Sequence, residues 1–481
     1  MTNDIISHQT LKTNTAGFAS LLGQSVAMIA PLGAVAATLT GAAEFAVGSL
    51  PLAYIISIFG VLVWINTPYQ FSKKINGAGG FYTFNAIGVG PRYGLIIGYM
   101  MWFSYFNVIT NAILFTSGVF IPGTISYFLH VNIGTYTWIP IMTAFIAIIT
   151  FIAYIGIKPS LEYSFTASVI EIILLIASSI IIIIKAGPAN SILPFTPIPA
   201  HGWSPIFVGM VLAIFSMSGS SAVVVLGEEA KQPTKNIKKA LLISFLITGV
   251  VFVLTSYALT IGWGISNMPS FFQSSVPGLI VTDKYIGLPF TILLFAFIIN
   301  SLFAGSLAPL NTSSRMIFSI SRDGLGPRFL SKVHPKYKTP YTSILFVAGL
   351  SYLISLLAGI LLTPAIGFLY LISASSAALF IGHILSNFGV GISYHKMKSF
   401  NPFLHAFAPA VATIILAIAI FYSFVPPAYP IDYSIITAAI FIIATAIGVL
   451  IYNRKHPEAI RKAGKTDIEI QRAISSDEAL P

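Results

Sequence analysis

Four serines and a glycine stand together at Ser216, Ser218, Gly219, Ser220 and Ser221. The surrounding stretch is otherwise apolar and carries no acidic or basic residue from Ser204 to Gly227. Hydrocarbon offers backbone groups no hydrogen-bond partner, so polar backbone at membrane depth survives only inside protein or against a water-filled cavity. A helix interrupted at such a place exposes N–H and C=O groups to a solute near the bilayer midplane. A second interruption is expected at Ala30-Pro31-Leu32-Gly33. Pro31 lacks an amide hydrogen and crowds the carbonyl four residues back, and Gly33 adds backbone freedom. A half-helix starting there aims its N–H groups and the positive end of its dipole at a carboxylate. The competing explanations are structural: a proline kink in a packed helix, and serines bonded back to their own turn. Phe215, immediately before the serine run, stands where an aromatic ring could cover a bound solute.

Glu171 is the one acid expected in mid-bilayer. Ser164, Ser168, Glu171 and Ser178 recur at spacings that put them on one helix face. Ionisable groups at such depth are costly and are functional candidates, here for carrying a proton. The alternative is a structural carboxyl bonded to a neighbouring backbone. His383, with Ser376 and Asn387 on one face, is a weaker candidate of the same kind.

These residues need long apolar helices to hold them, and the composition supplies such helices. Of 481 residues, 56% are hydrophobic and 8% charged, against about 25% charged in a soluble domain. Mean hydropathy is +0.88. The chain is therefore read as an all-α polytopic membrane protein. The polar first 15 residues and the length of the first apolar run do not fit a cleavable signal. There are no cysteines, hence no disulfide or thiolate metal site. No G-x-x-x-x-G-K-[S/T] is present, because Ala459 stands where Gly464-Lys465-Thr466 would need its first glycine. No H-E-x-x-H or metal-spaced cluster is present either. An ATP-driven pump, a metalloenzyme and a repeated-filter channel are thus disfavoured, and neither cofactor nor metal is expected. The net charge of +11 is read through its placement, which points to a lipid bilayer and not to nucleic acid.

Twelve transmembrane helices are expected, near 16–45, 49–72, 82–120, 136–157, 160–185, 204–230, 237–263, 285–320, 341–361, 364–391, 404–424 and 432–452. With the N-terminus inside, only Lys185 and Lys284 of the 25 Lys+Arg fall outside, a strong positive-inside bias. The expected organisation is a cytoplasmic segment 1–15, helices 1–5 over 16–185 and an external proline-rich loop 186–203. Helices 6–10 over 204–391, helices 11–12 over 392–452 and a cytoplasmic tail 453–481 follow. Both termini lie in the cytoplasm of a multi-pass cell-membrane protein. Glu228 and Glu229, ahead of the basic cluster Lys231–Lys239, are expected to form a cytoplasmic salt-bridged latch. Arg322 and Asp323 are expected to cap or pair in the loop after helix 8.

Four motifs carry a resemblance. They are the glycine-bearing interruption at Ala30–Gly33, Leu226-Gly-Glu-Glu-Ala-Lys-Gln-Pro233, Ala78-Gly-Gly-Phe-Tyr82, and Arg322-Asp-Gly-Leu-Gly-Pro327 with Lys332-Val-His-Pro335 and Thr339-Pro340. Together they span most of residues 15–340, and in them the chain resembles the amino acid–polyamine–organocation permeases. The resemblance implies a five-plus-five inverted repeat with broken helices 1 and 6. It implies that a substrate carboxylate meets the N–H groups around Pro31, Leu32 and Gly33, although Pro31 has none to give. The amino group would meet carbonyls of Ile29, Phe215 and Ser218, and Phe215 matches the family's aromatic gate. Many members carry Glu where this chain has Ser221, which argues against a cationic substrate and against a proton site on helix 6. Some permeases of this type place a titratable residue at the point of helix 5 that Glu171 occupies.

The expected function is secondary active transport of amino acids by alternating access, namely proton-coupled uptake of neutral ones. The substrate would be held by Ile29, Ala30, Pro31, Leu32, Gly33, Phe215, Ser218, Gly219, Ser220 and Ser221, with Glu171 as the proton-coupling residue. The alternatives are exchange, Na+-coupled symport with a site near Ser306, transport of cationic amino acids or polyamines, and, remotely, a channel.

Overall fold

The computed structural model describes residues 10–131, 134–422 and 432–477. The outer parts of the expected N-terminal segment and tail, and the end of the expected helix 404–424, lie outside these residues. Among the described residues every regular element is helical, and the one β-type contact is an isolated bridge between Ala16 and Ala230.

Eleven stretches are long and apolar enough to cross a membrane. The first, Phe18–Ser72, has 55 residues and holds both α1 (Phe18–Ile29) and α2 (Leu50–Ser72). As one straight helix it would be about 80 Å long, more than twice a bilayer core. It is interrupted twice. Ala30 takes a left-handed φ of 50° and Val47 a φ of 37°. The residue before a proline is disfavoured in the helical region, so Pro31 accounts for the first interruption. After it come a helical turn, Pro31–Ala34, and a π-helical stretch, Val35–Leu39.

Two short helices, α3 (Phe81–Gly88) and α9 (Pro277–Tyr285), lie among the remaining candidate spans. Those spans begin with α4 (Pro91–Phe115, extended through a second π-helical stretch to Leu129), α5 (Trp138–Ile155) and α6 (Ile157–Ala186). Next come α7 (Trp203–Met217), α8 (Pro233–Trp263), α10 (Leu288–Arg322), α11 (Tyr341–Leu362) and α12 (Pro364–Lys396). α13 (Ala408–Tyr422) and α14 (Tyr433–Lys455) complete the set, and a tail helix, α15 (Lys465–Asp477), ends the described chain.

The serine run differs from its expected form. Ser216 and Met217 close α7 as ordinary α-helix, and Ser218–Leu226 continue as a buried 3-10 helix. The backbone narrows there without opening. The hydroxyls of Ser216, Ser218 and Ser221 donate to the carbonyls of Ala213, Phe215 and Ser218, each three residues back. They thereby satisfy the carbonyls that an open break would have left free. Gly219 is required by close approach: a Cβ there would lie 2.7 Å from the carbonyl carbon and oxygen of Met28.

Burial separates a core from a periphery. In Trp203–Leu226, 89% of the most apolar window is buried inside the protein, against 17% for Tyr433–Lys455. The α7 span is therefore the most enclosed of the candidate spans and α14 the least. Gln24 on α1 donates to the carbonyl of Ala308 on α10, and Ser25 to that of Ser220. Exposed Phe59, Ile184, Leu361 and Phe421 form an apolar outer surface far beyond what a soluble monomer shows.

Candidate functional site

A small cavity opens where the first span is interrupted. Its walls are Ile29, Ala30, Gly33 and Thr38 from the first span, and Phe215, Ser218 and Gly219 from the α7 span. Val108, Asn111 and Phe115 of α4, Leu302 and Gly305 of α10, and Phe368 and Ile372 of α12 complete it. No Asp, Glu, Lys, Arg or His lines it. Close packing defines its floor, since a Cβ on Gly305 would lie 2.5 Å from that of Ala30.

Six of the sequence-predicted residues thus meet in one cavity: Ile29, Ala30, Gly33, Phe215, Ser218 and Gly219. Four do not line it. Pro31 begins the helical turn, and Leu32 lines a second small cavity on the other side of that turn, with Val35, Leu175 and Ser178. Ser220 accepts from Ser25 through its carbonyl, and Ser221 Oγ lies 3.3 Å from Tyr105 Oη.

The donors at the head of the turn are taken by the protein itself. Gly33 N–H donates to Ser301 Oγ at 3.0 Å, and Ser301 O–H donates to Glu171 Oε2 at 2.5 Å. Leu32 N–H points at the same carboxylate oxygen from 3.5 Å, and Ala34 N–H donates to Ala30. Glu171 therefore bridges α6, α10 and the interrupted span from a fully buried position. Its Oε1 has no hydrogen-bond partner among the described residues. The expected free N–H groups are instead wired, directly and through Ser301, to a fully buried carboxyl. A group so placed can hold a proton or accept hydrogen bonds, and the two states pull differently on the turn.

Sequence reading missed Ser301 and Asn111. Asn107 and Asn111, one helical turn apart inside a run free of charge, were a visible signal. Asn111 donates back to the Asn107 carbonyl, which leaves its oxygen side for the cavity. Ser301 had no comparable signal. His383 packs against Trp64 and Phe81, and neither ring nitrogen has a hydrogen-bond partner among the described residues. Its expected neighbour Asn387 accepts from Thr67 instead. Ser306 donates to its own helix at Leu302.

The expected latch at the end of the α7 span has different partners. Glu229 takes a two-pronged contact from Arg315, at 2.6 and 2.9 Å, and Glu228 pairs with Arg322 at 2.9 Å. The lysines after Pro233 are not the partners, because a planar guanidinium matches a carboxylate in a buried site and an ammonium is better hydrated outside. Arg322 likewise turns away from Asp323. Removing one member of a buried pair strands the other charge, at a cost of ~3–5 kcal/mol. Arg315→Met is expected to lower the melting temperature in detergent sharply, and Arg315→Met with Glu229→Met to recover much of the loss. Equal melting of the single and double variants would contradict a buried pair.

Interrupted helices, a buried cavity free of charged side chains and a deep carboxyl wired to the interruption define a polytopic membrane protein of the carrier type. The chain matches the family described as amino acid permease over residues 21–461 and belongs to that family. It is 26% identical to the branched-chain amino acid permease BcaP of Bacillus subtilis (strain 168), over 72% of this chain and 77% of the relative. It is 24% identical to the methylthioribose transporter of the same organism, over 92% of both chains. It is 23% identical to the low-affinity putrescine importer PlaP of Escherichia coli (strain K12), over 64% of this chain and 67% of that protein.

Proposed function

We propose that this permease takes up neutral amino acids across the cell membrane by proton-coupled alternating access. In this reading the chain crosses twelve times, with the stretch Phe18–Ser72 counted as two crossings because Val47 interrupts it, and both termini are cytoplasmic. The first five helices and the next five form an inverted repeat, with the interrupted first span and the α7 span facing each other across the solute.

The observation that carries the substrate class is the cavity lining. It joins the backbone of Ile29, Ala30 and Gly33, together with Ser218, to an apolar wall of Val108, Phe115, Leu302, Phe368 and Ile372. Its backbone carbonyls suit the amino group that all amino acids share, and the apolar wall suits a neutral side chain. A diamine or cationic side chain would need a buried counter-charge, and no acid lines the cavity. Phe215 covers the cavity as an aromatic gate, and Glu171 carries the coupling proton.

Uptake of labelled leucine, alanine, putrescine and methylthioribose into proteoliposomes, with and without a pH gradient, tests this reading. A neutral amino acid is expected to be the best substrate, and its accumulation to follow the inward proton gradient. If putrescine or methylthioribose outcompeted every neutral amino acid, the substrate assignment would be wrong. Strict Na+ dependence, or exchange with no net uptake, would overturn the proton coupling.

A further inference from the structure

The tail beyond the last candidate span returns to the protein and inserts a carboxylate into its cytoplasmic face. After α14, His456 ends the helix, and Ile460, Ala463, Asp467 and Ile470 are buried. Asp467 Oδ1 accepts from Arg322 at 2.6 Å and from Ser319 at 3.0 Å. Its Oδ2 accepts from the Gly79 N–H at 3.0 Å and from the Thr83 hydroxyl. Three residues earlier, Gly464 N–H donates to Asp323 Oδ2 at 2.7 Å, an oxygen that also accepts from Tyr82. One turn later, Gln471 accepts from the Asn76 N–H at 3.0 Å.

These contacts join parts that alternating access must separate. Asn76, Gly79, Tyr82 and Thr83 belong to the connection after α2 and to α3, in the first half of the chain. Ser319, Arg322 and Asp323 end α10, in the second half. Arg322 continues the chain of contacts to Glu228 beyond the α7 span, and Glu228 accepts from the Leu11 N–H of the N-terminal segment at 2.7 Å. A solute leaving the cavity inward has to pass this layer. A solvated tail has no reason to bury an acid with four donors around it.

We propose that residues Gly464–Gln471 are a built-in lock, a segment that docks between the two halves of the permease and holds its cytoplasmic side shut. The proposal rests on alternating access but on no particular substrate or coupling ion. Undocking takes Asp467 away from Arg322 and loosens the α3 connection from α10. Docking therefore biases the equilibrium toward cytoplasm-closed states by its differential affinity for them.

Docking should respond to cytoplasmic pH through Asp323. Burial, and then the negative charge of Asp467, push Asp323 up from 3.8 to about 6, against the hydrogen bonds of Thr466, Tyr82 and Gly464. The groups facing it are Tyr82 from α3, and Thr466 and Asp467 from the tail. Arg322, its neighbour on α10, is engaged with Glu228 and Asp467. An acid raised in the docked state binds its proton more tightly there than when the tail leaves and the site is wetted. Acidification thus strengthens docking, and the gain is lost as pH rises through about 6. Between pH 7.5 and pH 5.5 the docking constant should rise about fourfold. A tail that tightens in acid would restrain uptake when the cytoplasm is already loaded with protons.

The chain has no cysteine, which makes the test clean. Thr312→Cys places one thiol on α10 between the cavity and Arg315. It is read by a membrane-impermeant maleimide from the cytoplasmic side of inside-out vesicles. A protease site placed between Lys455 and Pro457 lets the tail be cut after the protein has folded. Cutting, or Asp467→Asn in the uncut protein, is expected to speed labelling roughly 5- to 150-fold, the range of ordinary coupling free energies. A peptide of residues 457–477 should restore protection, more so at pH 5.5 than at pH 7.5. Asp323→Asn should abolish that pH difference. Unchanged labelling after the cut, with the tail washed away, would overturn the lock. So would faster labelling that the peptide cannot reverse, since that is the mark of a purely structural tail. Labelling needs no transport, so a wrong substrate or coupling ion would leave these outcomes unaffected.

Discussion

Glu171→Gln is expected to leave exchange of labelled amino acid across proteoliposome membranes near wild-type rates while removing accumulation driven by a pH gradient. The substitution keeps shape and acceptor, because a glutamine carbonyl can still accept from Ser301 and face the Leu32 N–H. It removes only the proton equilibrium. A gradient of two pH units stores about 2.7 kcal/mol per proton, enough for roughly 100-fold accumulation with one proton per solute. The variant should fall to the passive ratio of about one. The physical route is short: the charge on Glu171 sets how strongly Ser301 and, through it, Gly33 are held, and those two residues join α10 to the interrupted span. Full gradient-driven accumulation by the Gln variant would rule Glu171 out as the coupling site.

Gly219→Val should abolish ligand binding in a protein that still inserts and folds. The first added carbon already lies 2.7 Å from the Met28 backbone. Backbone cannot give way as a side chain can, and a β-branched residue adds two more carbons with little rotamer freedom. Overpacking of this kind costs ~1–3 kcal/mol. Here that strain falls on the contact between the 3-10 segment and α1, at the cavity wall. Thermal-shift titration with the best neutral substrate is expected to show no ligand stabilisation. Gly33→Val provides a graded comparison, because its added carbon meets Leu302 Cδ2 at 2.8 Å and that side chain can rotate. Wild-type stabilisation in Gly219→Val would count against this wall of the cavity as the binding surface.

Sequence reading went furthest where one residue decides the local backbone. Pro31 foretold the interruption at Ala30, and charge-free runs foretold the long helices. The serine run was read less well, because its composition suits two structures equally. Serine hydroxyls can leave backbone groups free for a solute or satisfy carbonyls three residues back, and only the packing of Gly219 on Met28 decides. The position of Glu171 on a polar face was legible, but its partner Ser301, 130 residues away, was not. The same holds for Arg322 and Asp467, 145 residues apart. Both expected pairings nearby, Arg322 with Asp323 and the acid pair with the lysines after it, were local guesses. The fold replaced them with long-range contacts between elements that no periodicity relates.

The turn Pro31–Ala34 stands between two small cavities. Protein interiors are ordinarily packed as densely as organic crystals, and a four-residue wall with empty space on both faces is an exception to that rule. Such a wall has clearance. Ala30, held outside helical geometry, is the point at which the turn joins α1. Filling the chamber behind Leu32 with larger side chains is expected to hinder movement of this turn without touching the solute.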